Sequence, residues 1–292
     1  MSEQSKPSCL PPVAETRRPS FTLPENTCDA HCHVFGPKKQ FPYSDSAKYW
    51  PPDAGKDALS RVHKVLGIKR AVLVQASCHG TDNRAMLDAI KTSGGNYRGV
   101  CIADETFSQS DFRKLHEGGV RGVRFNFVKH LGGAPDLNMM SRVLQKVAPL
   151  NWHLVIHVNS EDLVTYRHFF DAIDIPVVVD HMGRVPTQHG TDQQPFQILL
   201  EQLNKPNWWV KISGAERISP NPPFEDAIPF AKMLINAAPE RILWGTDYPH
   251  PNIRVHMPND GDLVDLAAQM APDPILQTKI LVKNPATLYE FE

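Results

Sequence analysis

Short apolar runs recur along the chain, and polar segments with helical periodicity lie between them. The runs cover 27–36, 71–77, 98–104, 120–127, 153–159, 176–182, 208–214 and 241–249, and are rich in β-branched and aromatic residues. In the segment 160–173, Leu163, Tyr166, Phe170 and Ile173 recur every three to four residues behind a candidate cap at Ser160. Segments 57–66, 82–93, 108–117, 137–147, 193–204 and 224–237 show the same period. Strand followed by helix, repeated, demands parallel strands joined by right-handed crossovers. About eight such strands close a barrel, so the pattern predicts a single α/β domain, a (β/α)8 TIM barrel, over 25–292. A doubly wound open sheet is the alternative, but no strand leads into a Gly-x-Gly-x-x-Gly turn. Residues 1–24 are polar and proline-rich and read as an extended N-terminal arm. The loop 35–55 carries Phe35, Phe41, Tyr43, Tyr49 and Trp50. It either covers a site at the barrel mouth or packs down for stability.

Composition narrows the function classes. The chain has 292 residues, 41% hydrophobic and 22% charged, which is ordinary for a globular protein with a large core. A net charge of −1 gives no global attraction to nucleic acid or to a membrane surface. No apolar run reaches the length of a membrane span, and the first residues lack a signal core. Five scattered cysteines fit free thiols in a reducing cytoplasm better than a disulfide framework.

The chemistry gathers where each apolar run ends. In a barrel, active sites sit at the C-terminal ends of the strands. The first run ends in His31 and His33, which alternation places on one face, with Asp29 one step deeper on the same face. Two imidazoles about 7 Å apart along a strand can hold one metal ion or polarise one carbonyl. Later runs end in Ser77 and His79, Arg124, His157, Asp180-His181 with Arg184, and Asp247, while the seventh leads to Arg217. Histidines and a carboxylate at apolar strand ends need partners, either each other or a metal. That donor set suits one divalent ion, zinc by its ligand chemistry, among His31, His33, His157, His181 and Asp247, with an open position for water. Not every member need bind directly, and a metal-free site stays open as the alternative. Asp247 would act as general base. Arg124, Arg184 and Arg217 together favour carboxylate or sulfonate groups on a small anionic substrate.

These residues resemble the amidohydrolase superfamily, and within it the 2-pyrone-4,6-dicarboxylate lactonases. The stretches that carry the resemblance are 29–37, 74–83, 122–127, 180–184 and 244–252. It implies hydrolytic opening of a cyclic ester bearing two carboxylates, in bacterial breakdown of aromatic compounds. It implies that His31, His33 and His181 face the carbonyl and that Asp247 is the base. It implies that Ser77, Arg124 and Arg217, with His79 and Arg184, hold the carboxylates, and it places His130 and Asn252 at the substrate as well. Two positions depart from the metal-free lactonase pattern: His157 stands for a tyrosine, and His130 for an arginine. The zinc-dependent 4-sulfomuconolactone hydrolases are similar in overall pattern and give the nearest alternative. A decarboxylase on the same barrel and a non-catalytic binding barrel are more distant ones. A carboxylate such as Asp247 facing a bound anion weakens binding, which speaks against the last.

Overall fold

The computed structural model describes residues 9–292. Its strands are β1 (Cys28–Cys32), β2 (Arg70–Val74), β3 (Tyr97–Cys101), β4 (Val120–Asn126), β5 (His153–His157), β6 (Val177–Val179), β7 (Trp208–Lys211) and β8 (Ile242–Leu243). Each pairs in parallel with the next, forming one eight-stranded sheet in sequence order. The chain beyond β8 closes the circle on β1: Ala30 N donates to Trp244 O, Asp247 N to His31 O, and His33 N to Tyr248 O. This is the α/β barrel expected from the alternating pattern.

The helices are α1 (Lys56–Leu66), α2 (Arg84–Thr92), α3 (Gln109–Glu117), α4 (Leu137–Val147), α5 (Ser160–Thr165), α6 (Arg167–Asp171), α7 (Gln194–Gln202), α8 (Ala215–Ile218), α9 (Ile228–Ala237), α10 (Asp260–Met270), α11 (Pro274–Thr278) and α12 (Asn284–Tyr289). Ser108 starts α3 through a reciprocal capping box with Asp111. The helix expected over 160–173 is instead the pair α5 and α6, with Tyr166 between them. Its cap is Asn159, whose N–H donates to Asp162, and Ser160 is already inside the helix. The helix expected from 224 begins at Ile228, because Phe224 takes a left-handed backbone (φ 69°). The three helices after residue 259 were not anticipated. The last of them drives Tyr289, fully buried, among Cys28, Ala30, Val72, Val100, Val155 and Val178 in the barrel interior.

The strands are shorter than the apolar runs. Each run continues past the ladder into a buried loop, and those extra residues carry the polar side chains. The effect is largest at β8, where only two residues pair although the apolar run continues to 249.

A second departure sits in β1. Its register on β2 slips between Asp29 and Cys32. Ala30 belongs to the interior cluster, and His31 also points inward. The slip therefore turns Asp29 away from the two histidines, against the alternation expected from the sequence. Its carboxylate accepts from Thr246 Oγ1 (2.6 Å) and Thr246 N (3.0 Å), and lies 3.1 Å from His63 on α1. Asp29 thus ties β1, β8 and α1 together behind the site.

Gly245 makes this closure possible. A Cβ there would stand 2.4 Å from His31 N and 2.8 Å from Asp29 Oδ1. Gly245→Ala should therefore destabilise the barrel by about 1–3 kcal/mol through overpacking. Chemical denaturation checks this, and an unchanged midpoint would show that β1 yields freely.

Residues 9–24 hold no helix or strand. They lie along α10, where Arg17 pairs with Asp262 and Asp265, and near the loop after β8, where Leu10 N donates to Ile253 O. The remainder of the expected arm, residues 1–8, lies outside the described residues. Among the described residues no helix is long and apolar enough to cross a membrane.

Candidate active site

Four imidazoles and one carboxylate meet inside the mouth of the barrel. The ring centroids of His31 and His33 are 5.0 Å apart, those of His31 and His181 4.6 Å, and those of His157 and His181 5.6 Å. Asp247 Oδ1 lies 3.1 Å from His33 Nε2, 3.5 Å from His31 Nε2 and 3.9 Å from His181 Nε2. All five residues are buried.

The outer ring nitrogens fix what each imidazole presents to the pocket. His33 Nδ1 donates to the carbonyl of Val74 at 2.7 Å, and its Nε2 shares a hydrogen bond of 3.1 Å with Asp247 Oδ1. His157 Nδ1 pairs with Asn126 Oδ1 at 2.9 Å, and His181 Nδ1 with Ser213 Oγ at 3.1 Å. Gly214 allows that last approach, since a Cβ there would stand 2.5 Å from His181 Nδ1. His31 Nδ1 receives a hydrogen bond from the ammonium of Lys211 at 3.0 Å. Where Lys211 donates to Nδ1, the ring proton of His31 sits on Nε2, facing Asp247 and the pocket; where Nδ1–H donates instead to Asp180 Oδ1, 3.1 Å away, Nε2 carries the lone pair. The Nε2 atoms of His31 and His157 are buried without a hydrogen-bond partner.

Charge under the site is organised by Asp180. Its Oδ2 accepts from Arg124 Nε at 2.9 Å, and its Oδ1 lies 3.2 Å from Lys211 Nζ. Burial opposes the charge of Asp180, but Lys211, His31 and Arg124 outweigh it and hold the carboxyl well below its ordinary range. Burial likewise works against the Asp247 carboxylate. Arg217, then His181, His33 and His31, outweigh it, and Asp247 stays ionised. Burial pushes His181 down to about 4 and drives His31 and His157 well below the ordinary imidazole value. His31, His157 and His181 are therefore neutral imidazoles beside one carboxylate.

The loops that carry these groups use backbone conformations that side chains rarely adopt. His181, Met182, Gly183 and Arg184 are all left-handed, with φ of 51°, 51°, 65° and 51°, and this turn brings His181 and Arg184 to the pocket together. Asp247, His250 and Asn252 are left-handed as well. Each such non-glycine residue costs of order 1–3 kcal/mol and persists only where its surroundings hold it. His250 supplies part of that hold. Its ring lies between Glu216 Oε1 (3.4 Å) and Asp260 Oδ1 (3.2 Å), and although burial opposes a charge, these carboxylates raise it to about 10.

Arg124, Arg184, Arg217, Ser77, His130 and Asn252 line the same pocket. Their partners separate them. Arg217 donates to Asp247 Oδ2 from Nε (2.9 Å) and Nη2 (2.6 Å), and to Pro251 O from Nη1 (2.6 Å). Its first task is to hold the carboxylate, leaving Oδ1 to the imidazoles. Arg124 uses only Nε on Asp180. Arg184 has no hydrogen-bond or ion-pair partner among the described residues, and burial, then Arg217, lowers its guanidinium to about 10. Partial desolvation and the charges of Arg184, Arg217 and Arg254 hold His130 neutral at the rim, at about 4.

His79 does not join the pocket. Its Nε2 accepts from Gly36 N (3.1 Å), its Nδ1 lies 3.2 Å from Pro42 O, and its ring meets Tyr43 edge-on. It pins the aromatic loop instead. That loop sends Tyr49 into the pocket, where it accepts from Ser77 Oγ at 3.3 Å. Asn252 meets the N-terminal segment, its N–H donating to Cys9 Sγ at 3.2 Å. Sequence reasoning missed Tyr49 and Lys211, and read Asp180 without a role. The signal for Lys211 was present: a lysine that ends the apolar run Trp208-Trp209-Val210 and is fully buried.

Three groups that include site residues bring candidate ligand atoms within 4.8 Å of one another among the described residues: His31, His33 and Asp247; His31, Asp180 and His181; and Glu216, Asp247 and His250. The first two depend on His31. With its proton on Nε2, His31 offers the pocket a donor where a metal needs a lone pair. His157, expected among the ligands, belongs to none of these groups. Of the five expected zinc ligands, His31, His33 and Asp247 come within ligand distance of one another, as do His31 and His181, and a metal taken through His31 would displace a proton held at Nε2.

The model of the family described as Amidohydrolase matches residues 28–291. A 2-pyrone-4,6-dicarboxylate hydrolase of Comamonas testosteroni is 44% identical over 99% of this chain and 98% of its own length. A 4-sulfomuconolactone hydrolase of Hydrogenophaga intermedia is 36% identical over 99% of this chain and 98% of its own. Among solved structures, a probable 2-pyrone-4,6-dicarboxylic acid hydrolase of Acinetobacter baumannii with citric acid bound superimposes with a TM-score of 0.78 at 29% identity, covering 91% of this chain and 100% of that one.

Proposed function

The chain belongs to the amidohydrolase family, and from that premise we propose that it hydrolyses a small lactone bearing two carboxylates, of the 2-pyrone-4,6-dicarboxylate type. The observation that carries this reading is Arg184: a half-buried guanidinium with no anionic partner of its own, beside the free Nη groups of Arg124, at the edge of the imidazole–Asp247 cluster. A half-buried guanidinium without a carboxylate partner calls for an anion, and the Arg124 Nη groups beside it offer a second place for one. The similarity to the Comamonas hydrolase supports it.

The chemistry follows from the residues. Arg184 and Arg124 seat the carboxylates and orient the ring. The ester carbonyl oxygen turns to the Nε2–H of His31, with His181 beside it. Asp247 Oδ1 accepts the proton of a water that adds to the carbonyl carbon. His31 then faces the oxyanion as a fixed donor. The ring C–O bond breaks, and the proton held by Asp247 returns to the leaving oxygen. The closed pocket has a volume of about 20 Å³, room for about one water. Ring entry therefore requires the rim, Tyr49, His130 and Leu131, to move outward.

A lactone with one sulfonate and one carboxylate is the second reading. It is favoured by the 36% identity to the 4-sulfomuconolactone hydrolase and by a neutral His130 at the rim, which supplies no third cation. Incubation of the purified protein with 2-pyrone-4,6-dicarboxylate and with 4-sulfomuconolactone, following ring absorbance and CO₂, decides between them. Ring opening of the dicarboxylate without CO₂ is expected. Faster turnover of the sulfonate favours the second reading, and release of CO₂ would indicate a decarboxylase. We place the enzyme in the cytoplasm, in keeping with five free, buried cysteines.

A further inference from the structure

We propose that Lys211 is a positioning residue that keeps His31 a hydrogen-bond donor and thereby keeps the site from taking a metal through His31. Lys211 ends β7 inside the barrel, with 0% of its surface exposed, directly beneath His31. Two groups compete for His31 Nδ1. Lys211 Nζ lies at 3.0 Å and makes the hydrogen bond. Asp180 Oδ1 lies 3.1 Å from Nδ1 and 3.2 Å from Lys211 Nζ. The choice has opposite consequences across the ring. While Lys211 donates to Nδ1, the proton sits on Nε2 and the pocket sees a donor. Were Nδ1–H to donate to Asp180, Nε2 would present a lone pair, the carboxylate–histidine arrangement that orients and strengthens a metal ligand. His31 is the member shared by the two candidate ligand groups built on the pocket imidazoles, so its tautomer controls both of these.

Lys211 also faces Asp180 Oδ1 at 3.2 Å, while Arg124 takes Asp180 Oδ2 at 2.9 Å. Desolvating an ammonium is costly, and a methionine would fill the same space. The ammonium is the group that turns a two-faced imidazole into a one-faced donor. That donor acts on the ester carbonyl only if the lactonase reading holds, but the tautomer and the metal affinity do not depend on it.

The test uses the whole protein. In histidine-labelled wild type, ¹⁵N spectra should show His31 protonated at Nε2 and bare at Nδ1, with the signal assigned by its absence in His31→Asn. Lys211→Met, its fold checked by circular dichroism, should move the proton to Nδ1 and tighten zinc binding by about 10–100-fold in calorimetry of chelator-treated protein. An His31 protonated at Nδ1 in wild type overturns the proposal, whatever the variant does. A folded Lys211→Met whose zinc affinity is unchanged overturns it too. Neither readout needs a substrate, so a failure here is distinct from a failure to open the lactone.

Discussion

Asp247→Asn is expected to lower kcat by about 10²–10⁴-fold, the usual cost of removing a positioned general base. Asn keeps the shape of the side chain and can still accept from Arg217, so the barrel should remain folded by circular dichroism. What it loses is the charge that accepts the water proton next to three imidazoles. The substrate should still bind, because the anchoring arginines are untouched. A variant that keeps most of its kcat would remove Asp247 from the reaction and leave it a structural partner of Arg217.

Arg184→Met should raise KM for a dicarboxylate lactone far more than it lowers kcat. A lost charge-assisted contact costs about 1.5–3 kcal/mol, or roughly 10–150-fold. The effect belongs in KM because the carboxylate is anchored equally in ground and transition states. A neutral lactone should be affected little, and equal loss on both substrates would contradict the anchor role. Arg217→Met should behave differently. Its guanidinium is spent on Asp247 and Pro251 O, so its loss should fall mainly on kcat.

The fold was legible because the barrel writes itself as a repeat of two periods, and eight apolar runs survive any error of two residues at an end. The strand-end rule points to His31, His33, His157, His181 and Asp247, and the fold brings these five to one pocket. Three things stayed hidden. The slip in β1 turned Asp29 outward, because alternation holds only while the register does. The partners of charged groups were invisible, so Arg217 read as a substrate anchor and His79 as a pocket residue, although one is tied to Asp247 and the other to the aromatic loop. The direction of a ring proton is set by a neighbour far away in sequence: Lys211 lies 180 residues from His31. A histidine pattern reveals that a site exists, but not whether each ring offers a lone pair or a proton. That difference separates a zinc site from a carbonyl-polarising one.

The rate at which chelator-treated, metal-analysed enzyme opens 2-pyrone-4,6-dicarboxylate tests the role of the imidazoles and Asp247 most directly. If the imidazoles and Asp247 do the work with His31 as donor, the treated enzyme keeps its full rate and added zinc does not raise it. No ring opening in any state, or a rate lost on chelation and restored by zinc, would contradict it.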